Sequence, residues 1–159
     1  MQGDPKVIEL LNEALRNELT AVNQYWLHYR LLDNLGVNRL AEFERHESID
    51  EMKHADELAE RILFLDGLPN FQALGRLRIG ETVEEILRAD LDLELEAVEQ
   101  LKGAIAHCET VRDFGSRELF AKILTNEEDH VDHLEQQFEL IAAMGVANYV
   151  QLQSKPAEE

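Results

Sequence analysis

Cysteine, proline and basic residues are all scarce in this chain of 159 residues. The single cysteine, Cys108, cannot form an internal disulfide, and a cysteine-rich metal site is excluded. The three prolines and eight glycines cluster between long periodic stretches, where they separate elements. Lys and Arg number 15 against 33 Asp and Glu, which gives a formal net charge of −18. Nucleic acid is therefore an unfavourable partner, because phosphate binding needs a basic face.

Long apolar runs are absent as well. No stretch reaches the roughly 18 apolar residues that a membrane-spanning helix needs, so no membrane partner is expected. The first residues, MQGDPKV, contain no apolar run and predict no signal peptide. A lone thiol suits a reducing compartment, so the expected location is cytoplasmic. Hydrophobic content of 45% and charged content of 30% fit one soluble domain over residues 1–159.

Apolar residues recur at intervals of three and four, which predicts long amphipathic helices. Helix signals at the ends of these stretches set the boundaries. The first predicted helix runs from Asp4-Pro5 to a turn at Asn34–Gly36, and the second runs from Asn38 to just before Gly67. After a connection over 66–81, a capping box at Thr82–Glu85 opens the third helix, which runs to about Cys108. A turn near Arg112–Gly115 leads to a fourth helix ending at Met144-Gly145, followed by a short fifth over Ala147–Gln153 and a frayed tail at Lys155–Glu159.

The connection over 66–81 favours one topology. Sixteen extended residues reach at most about 55 Å, and a helix of roughly 28 residues is about 42 Å long. Adjacent antiparallel helices usually need only about 2–8 linking residues. We therefore expect an all-α four-helix bundle in which a long crossover makes the second and third helices parallel.

Two glutamate-centred units each occur twice with the same spacing. Leu15-x-x-Glu18-Leu19-x-Ala21-Val22 recurs as Leu91-x-x-Glu94-Leu95-x-Ala97-Val98. Glu51-x-x-His54 recurs as Glu127-x-x-His130, and the chain contains no other Glu-x-x-His pair. The distance from Glu18 to Glu51 is 33 residues, as is that from Glu94 to Glu127. The chain thus resembles two related hairpins offset by 76 residues.

This spacing predicts that the paired glutamates lie at the same height along the bundle axis. The midpoint between Glu18 and Glu51 falls in the first turn, and that between Glu94 and Glu127 falls just ahead of the second. Each hairpin therefore places its two glutamates side by side at mid-bundle. Residues three apart share a helix face, so the histidine of each Glu-x-x-His unit joins its glutamate.

A Glu from each of two helices and a Glu-x-x-His unit from each of the other two is the known ligand pattern of di-iron and di-manganese carboxylate bundles. Four carboxylates neutralise two divalent cations, and hard oxygen ligands suit iron and manganese. By symmetry, Glu18 and His54 are expected to hold one metal and Glu94 and His130 the other. Glu51 and Glu127 are expected to bridge.

Beyond these ligands, the whole chain resembles the bacterioferritin family. The likeness includes Phe64-Leu65-Asp66-Gly67-Leu68-Pro69, Ile79-Gly80-Glu81 and Leu87-Arg88-Ala89-Asp90-Leu91. It implies a ferritin-like bundle, homodimers assembled into a hollow 24-subunit shell, and a ferroxidase that oxidises Fe(II) with dioxygen or peroxide and stores a ferric mineral. It also implies a small ferredoxin-type protein as reductant.

The resemblance further implies haem b at a twofold subunit interface. Met52 and the Met52 of a second copy would be its axial ligands, with Leu19, Asn23, Trp26 and Ile49 lining the pocket. Haem would help electrons return to the mineral for iron release. Without the resemblance, a methionine at this position is ordinary interface packing.

Three further residues have weaker assignments. Tyr25 lies seven residues after Glu18 on the same face, and the resemblance implies an oxidisable residue beside the metal ligands; otherwise it is a buried tyrosine with a paired hydroxyl. His46 and Asp50, four apart in the second helix, are candidates for an inner-surface iron site, although a solvated pair is the simpler interpretation.

Other functions fit the same scaffold less well. A rubrerythrin-like peroxidase lacks its four-cysteine iron site here, and a manganese catalase remains open. An electron-transfer or haem-carrying module would leave the duplicated ligand set without a use. A purely structural bundle would leave the buried acids unexplained.

Overall fold

The computed structural model describes residues 1–154, and the predicted tail at 155–159 lies outside them. Within this range the regular elements are helices alone. They are α1 (Pro5–Asn34), α2 (Asn38–Phe64), α3 (Val83–Val111), α4 (Phe114–Met144) and α5 (Val146–Leu152). The predicted all-α fold with four long helices and a short fifth is confirmed. In residues 1–154 we find no helix that combines the length and the apolar character needed to cross a membrane.

Side-chain caps begin three of the helices. Asp4 accepts a hydrogen bond from the Val7 amide at 3.0 Å, and Asp113 accepts one from the Ser116 amide at 2.9 Å. Thr82 accepts one from the Glu85 amide at 3.2 Å, as the capping box predicts. The reciprocal bond differs, because the Glu85 carboxylate accepts from the amide of Glu81. Each cap satisfies a donor that the helix start leaves free.

Several boundaries differ by a few residues from the sequence prediction. The helix α3 continues to Val111, and the turn consists of Arg112 and Asp113 rather than Arg112–Gly115. Arg112 takes a left-handed φ of 59°, which ends the helix without a glycine. Gly145, at a φ of 80°, ends α4 as predicted. The fifth helix begins at Val146, one residue earlier than expected.

The crossover runs along α1 toward the carboxyl end of that helix. Polar side chains of α1 hold it at successive heights: Asn12 accepts from the Asn70 amide (2.8 Å), Thr20 from the Gly75 amide (2.8 Å), Gln24 from the Arg78 amide (3.0 Å) and His28 from the Gly80 amide (3.0 Å). The chain therefore travels the length of the bundle before α3 begins. This confirms the long crossover and makes α2 and α3 parallel.

Two apolar clusters fill the two ends of the bundle. One contains Leu11, Leu15, Leu58, Ile62 and Phe120. The other contains residues such as Leu32, Leu40, Ile86 and Leu134, together with Tyr149 of α5. Tyr149 is fully buried and donates to Gln137 at 2.8 Å, which fixes α5 across this end. The middle of the bundle lies between the clusters and carries the buried charged residues.

Candidate metal centre

All six predicted ligands meet in the middle of the bundle. The helix α1 supplies Glu18, α2 supplies Glu51 and His54, α3 supplies Glu94, and α4 supplies Glu127 and His130. The four carboxylates are 1–2% exposed. Their ligand atoms form two overlapping groups in which all atoms lie within 4.8 Å of one another. The two groups share Glu51 and Glu127.

The first group surrounds the Nδ1 atom of His54. This nitrogen lies 3.5 Å from Oε2 of Glu18, 3.8 Å from Oε2 of Glu51 and 3.2 Å from Oε1 of Glu127. One imidazole and three carboxylates from three helices thus converge on one point. We refer to Glu18 and His54, with the shared glutamates, as the His54 half.

The second group repeats this arrangement around Nδ1 of His130. The distances are 3.2 Å to Oε1 of Glu51, 3.6 Å to Oε1 of Glu94 and 3.6 Å to Oε2 of Glu127. We call this group the His130 half. Glu51 and Glu127 each turn one oxygen toward each half, which is the geometry that a bridging carboxylate needs.

The inward-facing atoms lack protein partners. Oε2 of Glu18, Oε1 of Glu127 and Nδ1 of both histidines are buried without a hydrogen bond. The same holds for Oε1 of Glu51 and Oε2 of Glu94. Leaving a buried polar atom unpaired costs about 1–3 kcal/mol. So many unpaired atoms around two points fit a site made for cations, and the mixture of carboxylates with one imidazole per group suits iron or manganese.

The electrostatics of the metal-free centre support the same view. Burial raises the pKa of Glu18 well above its ordinary value, and the nearby Glu51 and Glu127 raise it further. Burial and Glu127 raise the pKa of Glu94 in the same way. Burial opposes a charged imidazole, but Glu127, Glu18 and Glu51 raise the pKa of His54 to about 12. Without metal, protons therefore take the positions that cations would neutralise, and metal binding releases them.

Glu127 and His130 have pKa values shifted in opposite directions, partly by their contact with each other. Burial alone would raise the pKa of Glu127, but its contacts with Glu94, His130 and His54 lower it. Burial would lower the pKa of His130, but its carboxylate contacts, that with Glu127 foremost, raise it well above its ordinary value. Glu127 is thus held as a carboxylate between the two rings, as a bridging ligand should be.

Tyr25 lies directly beside the centre. It is 2% exposed, and its hydroxyl donates to Oε1 of Glu94. Burial and the charges of Glu94 and Asp90 raise the pKa of Tyr25 well above its ordinary value, so the phenol keeps its proton. The structure therefore places Tyr25 in contact with the predicted ligand Glu94, and Tyr25 is not one of the residues that face the two metal positions.

A cavity of about 290 Å³ leads to both histidines from the side of α2 and α4. His54 and His130 form its inner end, and Asp50 and Asp129 contribute acidic side chains to its lining. Lys53 also lines it and pairs with Asp50 at 3.8 Å. The centre is therefore reachable by small ions through this cavity.

A second buried polar group lies next to the centre and was not found from the sequence. His28 contacts Asp90 at 2.8 Å through Nδ1 and accepts from Gly80 through Nε2. Nε2 thus holds the crossover, and Nδ1 contacts α3. Burial and the neighbouring Asp90 raise the pKa of Glu44 well above its ordinary value. The available signals were Asp90 four residues before Glu94 and Glu44 seven before Glu51, each on a ligand-bearing face.

Four of the five predicted haem-pocket residues lie on the exposed or half-exposed side of the α1–α2 hairpin, and the fifth, Leu19, belongs to the apolar cluster that contains Leu11 and Leu15. Ser48 donates to the Val22 carbonyl at 2.8 Å, which sets the register of the two helices. Met52 is 42% exposed and Trp26 is 43% exposed, with the Arg45 guanidinium 6.0 Å from the Trp26 ring. The remaining three pocket residues are Leu19 (buried), Asn23 (exposed) and Ile49 (half-buried). The orientation leaves Met52 free to meet a second molecule.

His46 and Asp50 are both exposed on α2. His46 lies 4.0 Å from Glu42, and Asp50 pairs with Lys53. Neither belongs to a group of metal-compatible atoms within residues 1–154. The structure thus places them outside the buried centre, and an inner-surface iron site at these residues stays a prediction.

The comparisons with known proteins agree with this geometry. Residues 8–144 match the family model described as a ferritin-like domain. The chain is 52% identical over 159 residues to a bacterioferritin of Brucella melitensis biotype 1, and the aligned region covers 100% of this chain and 99% of that protein. It is 51% identical over 157 residues to a bacterioferritin of Mycolicibacterium paratuberculosis, covering 98% of this chain and 99% of that protein. On these matches and the fold described above, the chain belongs to the ferritin-like family and, within it, to the bacterioferritins.

Proposed function

We propose that this protein stores iron and acts as a ferroxidase, with Fe(II) as the substrate of the buried centre. The observation that carries the proposal is the pair of histidine-centred groups whose inward atoms lack partners and share Glu51 and Glu127. Two Fe(II) ions would each give one electron to dioxygen or peroxide and become Fe(III). The six proposed ligands are Glu18, Glu51, His54, Glu94, Glu127 and His130.

The protein's own part is to bind, orient and neutralise. The shared glutamates fix the separation of the two ions, and Glu18 and Glu94 close the two ends of the centre. The buried surroundings strengthen the attraction between carboxylates and cations, because water is excluded. Tyr25 holds Glu94 in place through its hydroxyl hydrogen bond. The cavity at His54 and His130 is the proposed path for iron.

Haem b fits the outer side of the α1–α2 hairpin. Met52 and its counterpart in a second copy would hold the iron, since Met52 is exposed and away from the metal centre. Leu19, Asn23, Trp26 and Ile49 would line the pocket. Bound haem would supply one-electron transfer for release of stored iron, with a small ferredoxin-type protein as donor.

Self-assembly belongs to the same proposal. Several large apolar side chains are exposed, and exposed apolar surface of this kind is available for contacts between subunits. They include Trp26, Met52, Leu63, Phe64, Leu68, Phe71 and Leu74. We propose homodimers that assemble into a 24-subunit shell, each subunit being one domain over residues 1–159. A cytoplasmic location is part of the proposal, because the single thiol of Cys108 suits a reducing compartment.

Iron oxidation by a bridging-ligand variant tests the function. Stopped-flow absorbance after adding two Fe(II) per subunit should show a fast phase in the wild type. Glu127→Ala should abolish this fast phase, because a ligand shared by both ions is lost. Glu128→Ala is the matched control, since Glu128 is exposed on the same helix. Wild-type kinetics in Glu127→Ala would refute the ferroxidase assignment.

The haem proposal has its own test. Met52→Leu keeps the side chain apolar but removes the sulfur. The purified wild type should show a Soret band and the variant should lack it, while the mass by light scattering tells whether assembly persists. A variant with an unchanged Soret band would contradict axial ligation by Met52.

A further inference from the structure

The outer nitrogens of the two ligand histidines have different partners. Nε2 of His130 lies 2.5 Å from Oε2 of Glu47, a close ion-pair contact. Nε2 of His54 lies 3.0 Å from the side-chain amide of Asn126. When Nδ1 binds a metal, Nε2 carries the proton and needs an acceptor. Oε2 of Glu47 is in ion-pair contact with His130 and makes no hydrogen bond, so it is available as that acceptor. His54 has the amide oxygen of Asn126 in the amide orientation that presents it.

The sequence repeat explains why the two halves differ. The 76-residue offset that duplicates the glutamate and histidine ligands does not duplicate their outer partners. Position 123, which corresponds to Glu47, holds Ile123, which is fully buried. Position 50, which corresponds to Asn126, holds Asp50, which is exposed and paired with Lys53. The two halves therefore have the same ligand types, but the residues that contact the outer nitrogens of their histidines differ.

The chemical consequence follows from the acceptor type. A carboxylate that accepts the imidazole N–H makes the ring a better donor and fixes its orientation, and such outer partners change metal affinity by about 10–100-fold. A neutral amide has a weaker effect, because charge-assisted contacts are roughly twice as strong as neutral ones. Glu47 is 9% exposed, so water screens its charge only in part.

We propose that Glu47 makes the two halves of the centre unequal, so that the His130 half binds a first divalent cation more tightly than the His54 half. Glu47 acts through His130 and is a positioning residue, and Asn126 has the corresponding, weaker role at His54. The proposal rests on the di-metal centre of the proposed function and adds an order of filling to it.

Partial loading with Co(II) tests this order. The metal-free full-length protein is crystallised anaerobically with one Co(II) per subunit, and anomalous scattering gives the occupancy of each half. A tenfold difference in affinity between independent halves gives occupancies of roughly 3 to 1, and a hundredfold difference roughly 10 to 1. We expect the His130 half to be the fuller one. Calorimetric titration of the same protein with Co(II) should show two steps.

Two variants change the ratio from opposite sides. Glu47→Gln should move the occupancies toward equality by weakening the His130 half. Asn126→Asp should do so by strengthening the His54 half, and it serves also if Glu47→Gln folds poorly. Glu60→Gln, at an exposed position of α2, should keep the wild-type ratio.

The outcomes separate this inference from the function on which it rests. Failure of Co(II) to bind either half would overturn the di-metal centre and the proposed function with it. Equal occupancy in the wild type, or a fuller His54 half, would overturn the inference alone. A wild-type ratio that persists in Glu47→Gln and in Asn126→Asp would show that the outer partners do not set the order.

Discussion

Stabilisation by metal offers a direct test of the centre through Glu18→Gln. Glu18 is 2% exposed, and burial with the charges of Glu51 and Glu127 raises its pKa, so a proton occupies its carboxyl readily without metal. Glutamine resembles that protonated acid in shape. The metal-free variant should therefore match the wild type in stability within about 1 kcal/mol. The metal-bound forms should differ, because an amide is a poor ligand for a hard cation.

The size of the difference follows from mass action. A ligand at one hundred times its dissociation constant stabilises the folded state by about 2.7 kcal/mol, so two filled halves give about 5 kcal/mol. For a chain of this length, 1 kcal/mol corresponds to about 2–4 °C, and the wild type should gain about 10–20 °C. Glu18→Gln loses a terminal ligand of the His54 half and should gain about half as much.

Differential scanning calorimetry with and without Zn(II) at pH 7 measures these shifts, since Zn(II) avoids redox chemistry. Glu13→Gln is the control, because Glu13 is exposed on the same helix. A full wild-type shift in Glu18→Gln would show that Glu18 is not a ligand. No shift in the wild type would show that the buried acids do not form a metal site.

Three further predictions concern the scaffold. Asp113→Ala should cost about 1 kcal/mol of unfolding free energy in urea at pH 7, because the helix cap is lost. Burial would raise the pKa of Asp113, but its contacts with Ser116 and Arg61 lower it below 3.8, so the stabilisation by the carboxylate is present above that value and the difference should shrink as pH falls through the lowered pKa. Gly80→Ala should cost about 1–3 kcal/mol in the same assay, because its Cβ would lie 2.3 Å from a backbone nitrogen, whereas Gly103→Ala, with open space, should stabilise α3 by up to about 1 kcal/mol. Burial raises the pKa of Cys108 to about 11, so Ellman's reagent at pH 8 should label this thiol only after denaturation. Wild-type stability in either destabilising variant would contradict the first two predictions, and rapid labelling of the native protein would contradict the third.

The fold was largely predictable because its signals are local. Caps at Asp4 and Thr82 and the glycine at 145 mark helix ends, and the length of the connection at 66–81 favours a segment that spans the bundle. The turn at Arg112 was placed too broadly, because a left-handed arginine leaves no sequence signal comparable to a glycine. The attachment of the crossover to α1 was also unforeseen. Its partners are backbone amides, which carry no residue identity.

The candidate metal centre, like the fold, was predictable only in part. Its six predicted ligands could be found from the sequence because the repeat presents their pattern twice, and the structure brings all six together. Glu47, Asn126 and Glu44 were missed, because a single glutamate or asparagine on an acidic helix resembles the many that face water. Only tertiary packing distinguishes them, by burying Glu44 to 1% exposure and by placing Glu47 against His130.

Retention of the buried acids places a requirement on the rest of the bundle. Each buried charge that lacks a counter-ion costs several kcal/mol, while a fully buried large aliphatic side chain contributes about 1.5–3 kcal/mol. Apolar clusters at both ends of the helices provide that stabilisation, so the middle can carry groups selected for metal rather than for packing. Outer partners such as Glu47 lie between the predicted metal ligands and the rest of the bundle. Glu47 contacts His130, and Asn126 contacts His54 and lines the cavity, whereas Ile123, the counterpart of Glu47, packs in an apolar cluster. The outer partners can therefore differ between the halves while the ligand set stays the same. Asymmetry is therefore expected to enter this centre at its outer partners before it enters the ligand set.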